Sequence, residues 1–524
     1  MDFLIHHMLR ASASRFFDKE ALIDKEIRLS YESVAKQVGG LAEGLRHAGL
    51  RRGDRVGLDL ETSVLQSLSI FGVSQAGGVF VPINNLLFSE QVAHIAGDCQ
   101  MRGLITTQKK LDSLVPTLKG IPSLEFVVVT GDGPGAEISQ GTFKLSELLN
   151  SGVHENWRDW GIGKDLAAIL YTSGSTGKPK GVMLSHEQVI AGSSIVSDYL
   201  GITSSERIVG VLPLSFDAGL NQLMTAVQQG GTYVPMTFVF AREIVKTLQR
   251  EQITGMAGVP TLWSLMTQPN STLEKTPLPH LRYITNTGGR MPQTVLANLR
   301  PMLPSTRIFL MYGLTEAFRS TYLPPEELDR RPTSMGKAIP NTEIVVVNEQ
   351  GRPCKPDEVG ELVHRGPTVS MGYWGQPELT AKVLRPHPFI PSEIGDSERV
   401  CYSGDLVTMD EEGFLYFVGR RDNMIKSSGF RISPTEVEEV LFQSGMLREA
   451  AVIGIPHETL GHVIRAYVAP RDGETVNSEI LISFCAEKMP RYMVPRTVEV
   501  LESLPKTSNG KVDYPALRRR AEIA

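Results

Sequence analysis

The stretch YTSGSTGKPKG (residues 171–181) holds two serines, two threonines, three glycines and two lysines. Glycines let a backbone approach an anion closely and turn successive N–H groups toward it. The hydroxyls of Thr172, Ser173, Ser175 and Thr176 add donors, and Lys178 and Lys180 add positive charge. The composition suits a phosphate cradle, although taken alone such a stretch is more often a plain linker. It is not the G-x-x-x-x-G-K-[ST] loop that runs straight into a helix, because Pro179 follows Gly177 and Lys178. Other polar residues stand in short motifs downstream: Glu316 in MYGLTEA (311–317), Asp405 in YSGDL (402–406), and Lys511 after the Asn-Gly of PKTSNGKVD (505–513). In isolation, Glu316 is an ordinary helix-start acid and Lys511 an exposed turn residue.

The elements around these residues read as alternating strands and helices. AAILYTS (167–173) is a buried strand leading into the glycine-rich loop, and VMLS (182–185) is a second strand leaving it. Ser185 and Gln188 form a capping box for a helix beginning at His186. Strand patterns at 55–60, 79–83, 207–213, 253–259, 281–286 and 307–312 alternate with helical ones at 31–50 and 63–78, which argues for a doubly wound, largely parallel α/β fold. From about residue 335 to 418 the texture becomes β-rich, with strands joined by Gly/Pro turns. Ser433 and Pro434 then read as N-cap and first residue of a helix. Strands at 449–455, 463–469 and 496–501 and a helix at 478–489 complete a small α+β domain. The division predicted is 1–421 and 422–524.

The chain has 524 residues, enough for two or three domains, with 41% hydrophobic and 21% charged residues and a net charge of −5. No basic block calls for a nucleic-acid partner, and the RRR at 518–520 reads as a solvated helix face. No apolar run reaches the roughly 18–20 residues of a membrane helix, and the N-terminus lacks signal-peptide organisation. The four dispersed cysteines make no CxxC pair, which fits a reducing cytoplasmic setting and neither a disulfide framework nor a zinc site.

YTSGSTGKPKGVMLSH (171–186) resembles the phosphate loop of the AMP-forming adenylate ligases, the superfamily of acyl-CoA synthetases, adenylation domains and beetle luciferases. MYGLTEA, YSGDL, GRRDNMIKSSGFRISPTEVE (419–438) and PKTSNGKVD resemble its later motifs in order, over nearly the whole chain. The resemblance implies a large N-terminal domain of doubly wound sheets with a β-rich subdomain, and a small mobile C-terminal lid. It implies ATP-dependent conversion of a carboxylic acid to an acyl-AMP with release of pyrophosphate, then transfer to a thiol. ATP and Mg²⁺ are the implied cofactors, with CoA or a phosphopantetheinyl carrier protein supplied in trans as acceptor.

Residue by residue, it implies that Thr172, Ser173, Gly174, Ser175, Thr176, Gly177 and Lys180 hold the β- and γ-phosphates. Thr315 contacts the α-phosphate and Glu316 holds Mg²⁺. Gly288 and Gly289 of NTGGRMP (286–292) lie on the adenine side, with Tyr312 stacked on the base. Asp405 accepts from the ribose hydroxyls, assisted by Arg420. Lys511 bridges the carboxylate and the α-phosphate as a fixed charge. Asp422 is the hinge, and Lys426 and Gly429 approach the nucleotide for thiol transfer.

The sequence departs from the common acyl-CoA synthetase pattern at LPLSFDAGLNQL (212–223), where an aromatic–His pair is replaced. Phe216 and Asp217 stand near the acid pocket, and Arg319 in EAFRSTYLP is also unusual. A buried carboxylate needs a partner. Asp217 meets either a substrate ammonium, as in amino-acid-activating domains, or Arg319 in an internal pair. These stretches resemble exosortase-associated acyl-CoA ligases and stand-alone prolyl–carrier-protein ligases. CoA is the leading acceptor. A carrier protein, direct amide formation and a non-catalytic nucleotide-binding relative are the other readings.

Overall fold

The computed structural model describes residues 2–131, 141–151, 159, 161–173, 179–395, 398–427, 430–457 and 460–523. Gly174, Ser175, Thr176, Gly177 and Gly429 lie outside the described residues, as do the side chains of Ser173, Asp422 and Lys426.

Two sheets dominate the first four-fifths of the chain. One has eight strands, and its centre is the parallel set Val79–Pro82, Arg55–Asp59, Gly103–Thr107 and Phe126–Thr130. These are short apolar or β-branched runs, buried on both faces as parallel strands are. Leu166–Ser173 joins this set in parallel and pairs antiparallel with Pro179–Ser185, so the flanks of the glycine-rich stretch are adjacent strands. The second sheet has nine strands, with Thr232–Pro235, Arg207–Gly210, Gly255–Gly258, Tyr283–Asn286 and Arg307–Leu314 parallel in its middle. Helices Ile5–Arg15, Tyr31–His47, Val64–Gln75, His186–Leu200 and Asp217–Gln229 pack on one another. The core they share takes in Phe80 and Ile105 of the first sheet and Tyr233 and Phe309 of the second.

Local signals explain the element starts. Ser30, Ser63 and Ser185 accept backbone N–H bonds at the helix starts that follow them, and Gln188 closes the capping box at Ser185. Val64–Gln75 is buried almost all round, which fits its lack of charged residues.

The β-rich part is a separate sheet of Glu343–Val347, Gly360–Arg365, Arg399–Met409, Leu384–Pro386 and Leu415–Arg420. The chain then passes a single 3₁₀ turn, Arg421–Asn423, and builds a last sheet from Ile425–Ser427, Phe430–Ile432, Leu447–His457, Gly461–Pro470 and Thr497–Val500. Helices Pro434–Gln443 and Ser478–Lys488 cover it around a core of its own, including Ile432, Val437, Leu441, Val452, Ile464 and Leu481. Ser433 does stand at the N-cap position, but its hydroxyl makes no capping bond; Pro434 alone starts the helix. Among the described residues, no helix is long and apolar enough to cross a membrane.

Candidate active site

Lys511 of the small domain and Asp217, Glu316 and Asp405 of the large one lie near enough to act on one another's charge. Lys511 stands on a two-stranded tip. Lys506 bridges Val512, Thr507 N–H donates to Lys511 O at 2.7 Å, and Gly510 N–H donates to Thr507 O at 2.9 Å. Gly510 turns the chain with a φ of +76°, a conformation that suits glycine. The tip is fastened to the large domain by two bonds. Asn84 Nδ2 donates to Ser508 O at 2.6 Å, and Thr261 Oγ1 donates to Gly510 O at 2.9 Å. The Lys511 ammonium lies 4.9 Å from the centroid of the Phe216 ring. Its stem crosses Gly288 so closely that a Cβ there would stand 2.8 Å from Lys511 Cε.

Among the described residues no carboxylate makes an ion pair with Lys511, and the charges around it act at longer range. Desolvation lowers its pKa, against the pull of Asp217 and Glu316. Desolvation raises the pKa of Asp217, against the pull of Lys511 and then Arg319. Asp217 opens helix Asp217–Gln229 and accepts from Ala218 N–H at 2.7 Å. Asp217 and Arg319 do not form the internal ion pair considered from the sequence: among the described residues no cation stands within 4 Å of Asp217, and no carboxylate within 4 Å of Arg319.

Glu316 follows strand Arg307–Leu314, and Thr315 lies beside it in the same turn. Tyr373 O–H donates to Glu316 Oε1 at 2.5 Å, and Ser370 N–H donates to Glu316 O at 2.8 Å. Tyr373 belongs to a short strand that pairs with Val182 and Met183, on the far side of the glycine-rich loop. Thr172 and Lys180 face each other across the neck of that loop. Asp405 is buried at 4% exposure and accepts from Tyr312 O–H through Oδ2. Arg420 Nε stands 3.4 Å from its Oδ1, which makes no hydrogen bond among the described residues. Tyr312 stacks on His364 with ring centroids 5.9 Å apart.

This donor set fits a nucleotide and a divalent ion. A buried carboxylate oxygen without a hydrogen bond matches a sugar hydroxyl that would donate to it. A lone carboxylate with one oxygen held by a tyrosine can give Mg²⁺ a single hard ligand, the remainder coming from phosphate oxygens and water. Gly288 leaves the room that an approaching ligand or Lys511 needs.

Tyr373, Asn84 and Thr261 are the residues that sequence reasoning did not find. Tyr373 lies 57 positions from Glu316 and Asn84 more than 400 from the turn it holds, and no local motif links either pair. Asp422 lies in the 3₁₀ turn at the junction of the two domains, between Arg421, which pairs with Glu361, and Asn423, which accepts from Arg518.

The AMP-binding enzyme profile matches residues 9–374, and the AMP-binding enzyme C-terminal domain profile matches residues 436–511. The chain belongs to the AMP-binding enzyme family. It is 30% identical over 503 residues to a feruloyl-CoA synthase of Amycolatopsis sp, covering 94% of each chain. It is 28% identical over 542 residues to a long-chain-fatty-acid–CoA ligase of Salmonella typhimurium, covering 97% of this chain and 93% of that protein. An anthranilate CoA ligase solved in complex with anthranoyl-AMP superposes with a TM-score of 0.89 at 25% identity, over 99% of this chain and 98% of that one. The protein is an AMP-forming acid–thiol ligase, and adenylation followed by thioester formation is its general chemistry.

Proposed function

We propose that this ligase activates a small-molecule carboxylic acid with ATP and passes the acyl group to CoA through one site used in two domain arrangements. The observation that carries the reading is the Lys511 tip, tied down by Asn84 and Thr261 with its ammonium above Phe216 and beside Asp217 and Glu316. Lys511 holds the acid's carboxylate against the α-phosphate as a fixed positive charge. A carboxylate oxygen attacks the α-phosphorus, the bond to the pyrophosphate oxygen breaks, and the acyl-AMP mixed anhydride forms. Negative charge spreads over phosphorus and both reacting oxygens, so preorganised cations and donors carry the rate. Thr315 donates to the α-phosphate, and Lys180 with Thr172, Ser173 and the loop 174–177 receives the departing pyrophosphate. Asp405 and Arg420 hold the ribose, and Tyr312 with Gly288 and Gly289 flanks the base. Glu316 would hold Mg²⁺, which would supply positive charge to the phosphate oxygens.

For the second step, rotation of residues 422–524 about Asp422 withdraws Lys511 and brings Lys426 and Gly429 to the nucleotide. A thiolate then attacks the acyl carbon and AMP leaves. Such gating lets one pocket serve two reactions. The four free cysteines, three of them buried, fit a reducing cytoplasmic setting.

A second reading is favoured by one observation. The Asp217 carboxylate is desolvated within the field of Lys511 and has no cation within 4 Å among the described residues, as an ammonium-binding group would before its ligand arrives. On this reading the acid is an amino acid and the acceptor a carrier protein. Pyrophosphate release with ATP, Mg²⁺ and hydroxylamine across fatty, aryl, hydroxy and amino acids separates the two. Turnover of acids lacking an amine supports the CoA ligase, turnover confined to amino acids supports carrier loading, and no turnover refutes both.

A further inference from the structure

Arg319 is 3% exposed, yet its only hydrogen bond among the described residues runs from Nη1 to the thioether sulfur of Met311 at 2.7 Å. A thioether is a weak acceptor for a charged donor. Arg319 Nε is buried without a hydrogen-bond partner among the described residues. The centroid of the Phe318 ring lies 5.5 Å from the guanidinium carbon, but a ring face takes none of the hydrogen bonds whose absence makes a buried guanidinium costly.

The backbone also holds Arg319 in an unusual state. Its φ is +52°, rare for a residue with a side chain. It sits in an irregular register between strands Arg307–Leu314 and Ala317–Leu323, where Tyr312 pairs with Thr321 but Leu314 pairs with Ala317. Gly313 makes the bulge possible: a Cβ there would lie 2.4 Å from Arg319 N. Bulges of this kind re-aim a side chain, and strained residues gather where a ligand is gripped.

The side chain is aimed into a cavity of about 10 Å³, the room of about one water molecule. Asn221 and Gln222 of helix Asp217–Gln229 and Thr285 of Tyr283–Asn286 stand with Arg319 on its polar side, and aliphatic side chains such as Leu200 and Ile208 close the other. Asp217, Asn221 and Thr225 follow one another at four-residue steps, a polar stripe leading from Asp217 into the cavity. Asn221 is 5% and Thr225 1% exposed. Gln222 Oε1 and Thr285 Oγ1 are buried without partners, like Arg319 Nε. A plain alkyl or aryl tail would leave Arg319 Nε and the Thr285 hydroxyl unmet, whereas a distal oxygen could accept from both.

We infer that Arg319 is the receptor for a second oxygen function on the substrate. The ligase takes short acids whose distal end carries a carboxylate, amide or carbonyl oxygen, and it selects against apolar acids of the same length. This rests on the acid-activation reading above, with the acid's reacting carboxylate at Lys511 and its tail running along the stripe.

The test measures hydroxylamine-trapped pyrophosphate release for matched acids, each with and without an α-amine. Butanoate and 2-aminobutanoate lack the distal acceptor; succinate, succinamate, aspartate and asparagine have it. Within the amine class the enzyme turns over, acceptor-bearing acids should exceed the plain acid by at least about 100-fold in kcat/KM, since a site built to hydrogen-bond a group rejects the analogue lacking it. Arg319→Met should erase that ratio, and Arg319→Lys should restore part of it; melting temperatures check that both fold. Preference for the plain acid overturns the inference while leaving acid activation intact. So does a folded Arg319→Met with an unchanged ratio, which would leave Arg319 holding only an ordered water. No turnover with any acid overturns the activation reading itself, and this inference with it.

Discussion

Gly288→Ala tests whether Lys511 acts where the structure holds it. Position 288 has a φ of +76°, and a Cβ there would lie 2.8 Å from Lys511 Cε and 3.4 Å from Nζ. Carbon atoms pack at about 3.5–4.0 Å, so the lysine stem must retreat by roughly 1 Å. A 1 Å misplacement of a catalytic group costs on the order of 100-fold, or about 2.7 kcal/mol of transition-state stabilisation. The strained φ adds about 1–2 kcal/mol against the folded state, seen as a lower melting temperature. The assay is acyl-hydroxamate formation with saturating ATP, in wild type, Gly288→Ala, Lys511→Ala and the double variant. The account predicts a loss of about 100-fold for Gly288→Ala and little further loss when it is added to Lys511→Ala, because both act through one side chain. A full second loss in the double variant would refute the reasoning and place the effect of Gly288 elsewhere, such as in the nucleotide site alone.

Tyr373→Phe removes the hydroxyl that donates to Glu316; loss of such a supporting bond costs about 10- to 100-fold in metal affinity. The Mg²⁺ concentration for half-maximal rate should rise by about that factor, with kcat recovered at high Mg²⁺. Asp422→Pro, in the turn at the domain junction, should slow thioester formation from preformed acyl-AMP while sparing adenylation, read by separate single-turnover assays. Burial raises the Glu438 carboxyl to about 7, even though Tyr514 O–H and Val452 N–H donate to it at 2.7 and 2.9 Å. Between about pH 4.5 and 7 the unfolded chain gives up this proton while the folded one keeps it. This group's contribution to stability therefore falls as pH rises through that window, by roughly 3 kcal/mol. The stability of Glu438→Gln relative to wild type, from denaturant unfolding, should rise correspondingly between pH 4.5 and 7.

Much of the architecture was legible because it depends on local signals. The parallel strands are short apolar runs between turn residues, and the capping box at Ser185 and Gln188 marks a helix start from side-chain chemistry alone. Motif residues widely spaced along the chain, Asp217, Glu316, Asp405 and Lys511, do share one cleft, and each affects another's ionisation. Relations between distant segments were not legible. The Tyr373–Glu316 bond and the Asn84 anchor join elements through the fold, and neither residue type announces its partner. Arg319 shows the limit most clearly. Its charge pointed to Asp217, but the bulge opposite Gly313 turns it toward Met311 and an inner cavity, a consequence of register that residue spacing does not encode. Ser433 has the right type in the right place for a cap, yet its hydroxyl makes no such bond.

The most direct test of the account follows the two half-reactions separately in Lys511→Ala, with any acid the wild type activates. Acyl-AMP formation from ATP should fall by at least about 100- to 1,000-fold, the usual cost of removing a preorganised charge from a developing anion. Thioester formation from synthetic acyl-AMP and CoA should stay near the wild-type rate. Adenylation at the wild-type rate, or equal loss of both steps in a folded protein, would contradict the claim that this cleft forms the acyl-adenylate with Lys511 as its fixed charge.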